Sequence, residues 1–136
     1  MRPMPLLAAA AAICLMLALA SGQAHHAVQA QFDVNQMVEK RGVLTKIDWI
    51  NPHTYMHFDV TEEGATTRYA IESLGVTGLR RAGIDSKSSF QVGSTFTFVI
   101  NPSRNGSPTG LLVTLVFPDG RRFDVRNTDT GQAGGR

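Results

Sequence analysis

The sequence predicts a mainly β protein: a small antiparallel barrel of five or six short strands with one short helix after the third. Three observations carry this. Apolar and polar residues alternate with period two in several separate segments, the mark of strands with one buried face. Clusters of Gly, Pro, Asn, Asp and Ser stand between those segments. The strand rhythm breaks once, at residues 74–83, after the third strand. The order strand-strand-strand-helix-strand-strand is that of the five-stranded Greek-key barrel called the OB-fold. The barrel is therefore read as OB-like, with a flat sandwich of the same strands as the alternative.

The first strand is "GVLTKIDWI". Val43, Thr45, Ile47 and Trp49 fall on one side, Leu44, Lys46, Asp48 and Ile50 on the other, and Trp49 is assigned to the core with Val43 and Ile47. Asn51-Pro52 then bends the chain, since proline fixes φ and lacks the N–H a ladder needs. "TYMHFDV" sets Met56, Phe58 and Val60 opposite Tyr55, His57 and Asp59. Glu62-Glu63-Gly64 is a hairpin turn into a third strand, Thr66 to Glu72. "LGVTGLRRAG" reads as a short helix containing Leu79, Arg80 and Arg81, weakened by its glycines. The fourth strand, "STFTFVI", puts Phe96, Phe98 and Ile100 on one face. "NPSRNGSPTG" is turn chemistry throughout, "LLVTLVF" is a fifth strand, and "PDG" at 118–120 opens a hairpin into "RRFDVR".

The ends of the chain set its destination. Arg2 is the sole charge before Asp33, and Leu6 to Ala20 is almost wholly apolar, followed by small residues. That describes a secretory signal peptide, residues 1–24. A membrane-spanning helix needs roughly 20 apolar residues, so no stable span is expected after cleavage. Cuts after Ala20, Gly22 or Ala24 all remain open. The expected location is periplasmic or secreted. Residues 25–39 lack a clear period and read as an arm, 40–126 as the barrel domain, and 127–136 as a disordered tail with nothing to bury. Cys14 leaves with the leader, so the mature domain relies on burial and hydrogen bonding alone. Thirteen Lys+Arg stand against eleven Asp+Glu, a net charge of +2. Nucleic-acid binders carry a strong basic excess, because phosphate neutralisation drives their affinity; nucleic acid is not an expected partner.

Two sets of side chains could carry chemistry. Tyr55, His57 and Asp59 share the solvent face of the second strand, a ligand-binding arrangement on barrels of this kind. The second set is histidine: His25, His26 and His53. Cleavage after Ala24 would make His25 the first residue, so that its α-amine and Nδ1 could chelate one metal ion. A further imidazole would complete a three-nitrogen site suited to copper. His26 is adjacent and cannot easily bend back, so His53, in a turn, is the favoured third donor. His57 is about 13 Å from it along an extended strand, so the two are not expected to serve together. Cleavage after Gly22 would instead place histidine third and favour a square-planar amino-terminal copper site. The plain alternatives are a polar strand face and a polar start to the mature chain. No cysteine follows residue 14 and no Gly-x-Ser-x-Gly elbow occurs, so enzyme activity is not the expected function.

"AHHAV…QFD", "GVLTKIDWINPHTYMHFDV", "IESLGVTGLRRAG" and "NGSPTGLLVTLVFPDGRRF" together resemble an uncharacterised bacterial family, domain of unknown function 6152. Trp49-x-Asn51-Pro52-His53, combined with the His25-His26 start, is the most specific part. Where that family usually has Ser-Phe after the two histidines, this chain has Ala27-Val28. The resemblance implies export and supplies no activity. The functional expectation is an exported binding or accessory module for a partner protein or small ligand, with periplasmic copper binding as the alternative.

Overall fold

A computed structural model describes residues 28–84 and 88–125. The chain divides into two compact units, Met1–Gln31 and Phe32–Arg136. In the first, residues 28–31 are helical. The second is the barrel. The leader, His25, His26 and the tail from residue 126 lie outside the described residues.

Six strands follow one another: β1 Val38–Asp48, β2 His53–Glu62, β3 Ala65–Leu74, β4 Thr95–Pro102, β5 Thr109–Val116 and β6 Arg122–Asp124. A single short helix, α1 Val76–Arg81, lies between β3 and β4. The sheet order is β3-β2-β1-β4-β5-β6, and an additional β3–β5 pairing makes the first five strands a closed barrel with β6 outside. Every neighbouring pair is antiparallel except the closing one, where Ala70, Ile71 and Glu72 run parallel to Thr109, Gly110 and Leu111. This is the OB-like barrel that the order of elements predicts. Among the described residues no helix is long and apolar enough to cross a membrane.

Alternation in β2 is realised as read: Thr54, Met56, Phe58 and Val60 are buried while Tyr55, His57 and Asp59 are half-buried on the outer face. The β2–β3 connection is a two-residue turn in which Glu63 and Gly64 have φ of 52° and 81°. Two successive positive φ values match the twist of a tight hairpin. In β4, Phe96, Phe98 and Ile100 point inward. Both β4 and β5 reach further than expected, to Pro102 and from Thr109, which shortens the turn between them.

One expectation for β1 is corrected. Val43 is exposed and Leu44 fully buried, whereas Ile47 and Trp49 pack against the core. The pairing with β2 explains it: Leu44 faces Phe58 and Lys46 faces His57, leaving Thr45 as an extra residue. A β-bulge of this kind reverses which side chains face inward. Val43 therefore shares no face with Ile47 and Trp49.

The core holds Leu44, Met56, Phe58, Ile71, Phe96, Phe98, Ile100 and Leu115, with Leu79 of α1 beside Ile84 and Phe90. Its aromatic rings form a connected series. Phe98 stacks on Phe58 at 4.6 Å, Phe58 tilts onto Phe96, Phe96 lies against Phe90, and Phe90 receives the edge of Trp49 at 5.5 Å. Such contacts add stabilisation beyond the area they bury. Ahead of β1, Phe32 is buried and bridges to Ser103, and the Asn101 side-chain amide donates to the Gln36 carbonyl.

Candidate functional site

The outer face of β2 presents His53, Tyr55, His57 and Asp59 at every second position, because strand side chains alternate. The flanking strands determine what stands beside each. Across β3, Tyr55 is opposite Glu72, His57 opposite Ala70 and Asp59 opposite Arg68. Across β1, Tyr55 is opposite Asp48 and His57 opposite Lys46.

These neighbours fasten every one of the four. His53 Nδ1 lies 2.7 Å from Glu72 Oε1, and the Tyr55 hydroxyl donates to Glu72 Oε2 at 3.3 Å. One carboxylate thus holds an imidazole and a phenol, and Glu72 is itself 8% exposed. His57 Nε2 lies 2.9 Å from Asp48 Oδ2, while Lys46 Nζ reaches the other oxygen of Asp48 at 2.7 Å. The Arg68 guanidinium makes a two-point contact with Asp59, Nε and Nη2 donating at 2.7 and 2.9 Å.

The electrostatics follow. Hydrogen bonds from Lys46 and then His57 hold the Asp48 carboxyl below its ordinary value. The Arg68 contact does the same to Asp59. Burial pushes the Tyr55 hydroxyl up, and the charge and hydrogen bond of Glu72 push it further.

Two structural details set the end of β2 where His53 sits. Asn51-Pro52 is a cis peptide bond, and the Asn51 side chain accepts from the Thr77 amide at the start of α1. Gly75, between β3 and α1, lies flat against this segment: a Cβ there would meet the Pro52 carbonyl and come within 2.7 Å of Asn51 Oδ1. The Asn-Pro-His motif and the Leu-Gly-Val-Thr-Gly segment are thereby interlocked.

The structure brings Tyr55, His57 and Asp59 together on one face, as expected, and adds His53 to it. It also supplies two residues that were not singled out, Glu72 and Asp48. Both are legible as outward positions of their strands, but neither can be matched to an imidazole before the register is known. Trp49 packs against the core with its edge on Phe90. His25 and His26 lie outside the described residues. Among the described residues no three His, Cys, Asp or Glu side chains gather as a metal cluster. The arrangement offers aromatic surface, imidazole nitrogens and charged groups on one solvent-facing sheet.

A family model described as "Family of unknown function (DUF6152)" matches residues 12–113. No curated protein matches the chain.

Proposed function

The chain belongs to DUF6152, a family of unknown function, and we propose that it is an exported binding module, periplasmic or secreted, engaging a partner protein or small ligand through the outer face of β2. The observation that carries this reading is the row His53, Tyr55, His57 and Asp59, each held by a side chain of a neighbouring strand. Side chains fixed before a ligand arrives lose less freedom on binding, which favours affinity. Barrels with this strand order commonly bind through this part of the sheet, an analogy of fold that adds weight without naming a ligand. The test is capture of partners from a periplasmic extract by tagged mature protein. Tyr55→Ala combined with His57→Ala abolishes capture with the fold intact; unchanged capture refutes the reading.

A second reading is copper binding by the chain's histidines, His25, His26 and His53. The observation that favours it is the contact of His53 Nδ1 with Glu72, since metal-binding imidazoles are generally oriented by a carboxylate or carbonyl on their other nitrogen. Copper(II) titration of protein with a verified amino terminus tests it, repeated with one residue added before His25 and with His53→Ala. Binding that is weak and indifferent to both changes eliminates it.

A further inference from the structure

We propose that His53 is a metal-binding side chain whose donor atom is Nε2, and that Glu72, locked by Tyr55, is the residue that makes it one. This rests on the outer face of β2 being the binding face and names the ligand class that one side chain of that face takes.

The ring contacts fix the protons. An ionised carboxylate only accepts hydrogen bonds, so a neutral imidazole facing one carries its proton on the facing nitrogen. For His53 that nitrogen is Nδ1, against Glu72 Oε1. Its lone pair is therefore on Nε2, at the far end of a side chain 45% exposed. For His57 the facing nitrogen is Nε2, against Asp48 Oδ2, which leaves the lone pair on Nδ1, next to the side-chain stem. That side chain is 22% exposed. Two histidines on one face thus hold opposite tautomers, and His53 is the one that offers an accessible lone pair.

Glu72 is well placed to keep it so. It is nearly buried, and both oxygens are engaged, one by His53 and the other by the Tyr55 hydroxyl. A carboxylate tied at both ends cannot swing away and let the ring turn over. A carboxylate behind an imidazole also raises the basicity of the donor nitrogen and orients it for a metal. Imidazole suits borderline divalent ions such as zinc and copper, whereas calcium and magnesium take oxygen donors. With no cluster of three ligating side chains among the described residues, the ion keeps water or other ligands in its remaining positions.

The experiment is zinc(II) titration of nitrogen-15-labelled mature protein, read at the histidine ring nitrogens by NMR, with His53 assigned through His53→Gln. Before zinc, His53 carries its proton on Nδ1 and His57 on Nε2. On titration the Nε2 signal of His53 moves and that of His57 stays. Glu72→Gln weakens the His53 response tenfold or more, Tyr55→Phe weakens it less, and His57→Ala leaves it unchanged. A proton on Nε2 of metal-free His53, a response equal in both histidines, or one indifferent to Glu72→Gln overturns the proposal. Should Glu72→Gln fail to fold, Tyr55→Phe decides: a response identical to the wild type overturns it. Partner capture separates the two readings. Intact capture without a zinc response sinks this inference alone, and a zinc response with capture unaffected by the Tyr55 and His57 changes sinks the partner reading alone.

Discussion

Thr54 and Ser73 stand opposite each other across β2 and β3, on the inner side of the rung whose outer side carries His53 and Glu72. Both hydroxyls are buried without a hydrogen-bond partner. A buried polar group left unsatisfied costs about 1–3 kcal/mol. Thr54→Val keeps the shape and removes the hydroxyl, so it raises stability by about 1 kcal/mol. The urea midpoint measures this, and a lower midpoint would show that the hydroxyl is satisfied in solution.

The Phe98 ring is fully buried and stacked on Phe58 at 4.6 Å. Phe98→Ala leaves a cavity in the barrel and costs about 3–5 kcal/mol. Equilibrium denaturation checks it, and a midpoint equal to the wild type would mean that the ring lies outside the core.

Gly75 packs where a Cβ would collide with the Pro52 carbonyl and crowd Asn51. The colliding atom is backbone, which cannot rotate aside, so Gly75→Ala costs about 1–3 kcal/mol. Because that segment leads directly into His53, the same change shifts the His53 ring signals while leaving those of His57 in place. Equal shifts in both histidines would show a general loosening instead.

Glu63 adopts a positive φ at the hairpin turn. Left-handed backbone costs most residues roughly 1–2 kcal/mol, and asparagine tolerates it better. Glu63→Asn therefore raises stability by about 1 kcal/mol. Thermal denaturation decides the sign.

Stability depends on pH at both ends. Arg122 and then Thr114 hold the Asp124 carboxyl below its ordinary value, as Lys46 and His57 do for Asp48. A pKa depressed on folding contributes stability that is present above the unfolded value of about 4 and lost as pH falls through the folded one. Tyr55 is raised by burial and by Glu72, so its contribution is present below pH about 10 and is lost as pH rises through the folded value. Denaturation midpoints across pH will fall at both extremes, with Asp124→Asn flattening the acid limb and Tyr55→Phe the alkaline limb. Limbs unchanged in these variants would assign the pH dependence to other groups.

Most of the architecture was legible because alternation and turn residues act locally. Met56, Phe58 and Val60 declare their face through their neighbours, as do Phe96, Phe98 and Ile100. Where the pattern misled, a single unpaired residue was responsible: Thr45 keeps the alternation of letters intact while the bulge turns Val43 outward. The candidate site was half legible for a similar reason. Tyr55, His57 and Asp59 come from one strand, so one period places them together. Glu72 and Asp48 come from the strands on either side, and only the register assigns Glu72 to His53 and Asp48 to His57.

The two kinds of strand pairing in this barrel differ in what folding must bring together. The face carrying His53, Tyr55, His57 and Asp59 is made by β1, β2 and β3, which are consecutive in the chain and pair as a meander. Closure depends on the parallel match of Ala70–Glu72 with Thr109–Leu111, across the whole of α1 and β4. Pairings distant in sequence carry a larger loop-closure entropy and form more slowly than local ones. The imidazole–carboxylate contacts therefore belong to the early-forming meander, while the rung that seals the barrel completes late. A chain emerging amino terminus first can shape its binding face before its last strands are available to close behind it.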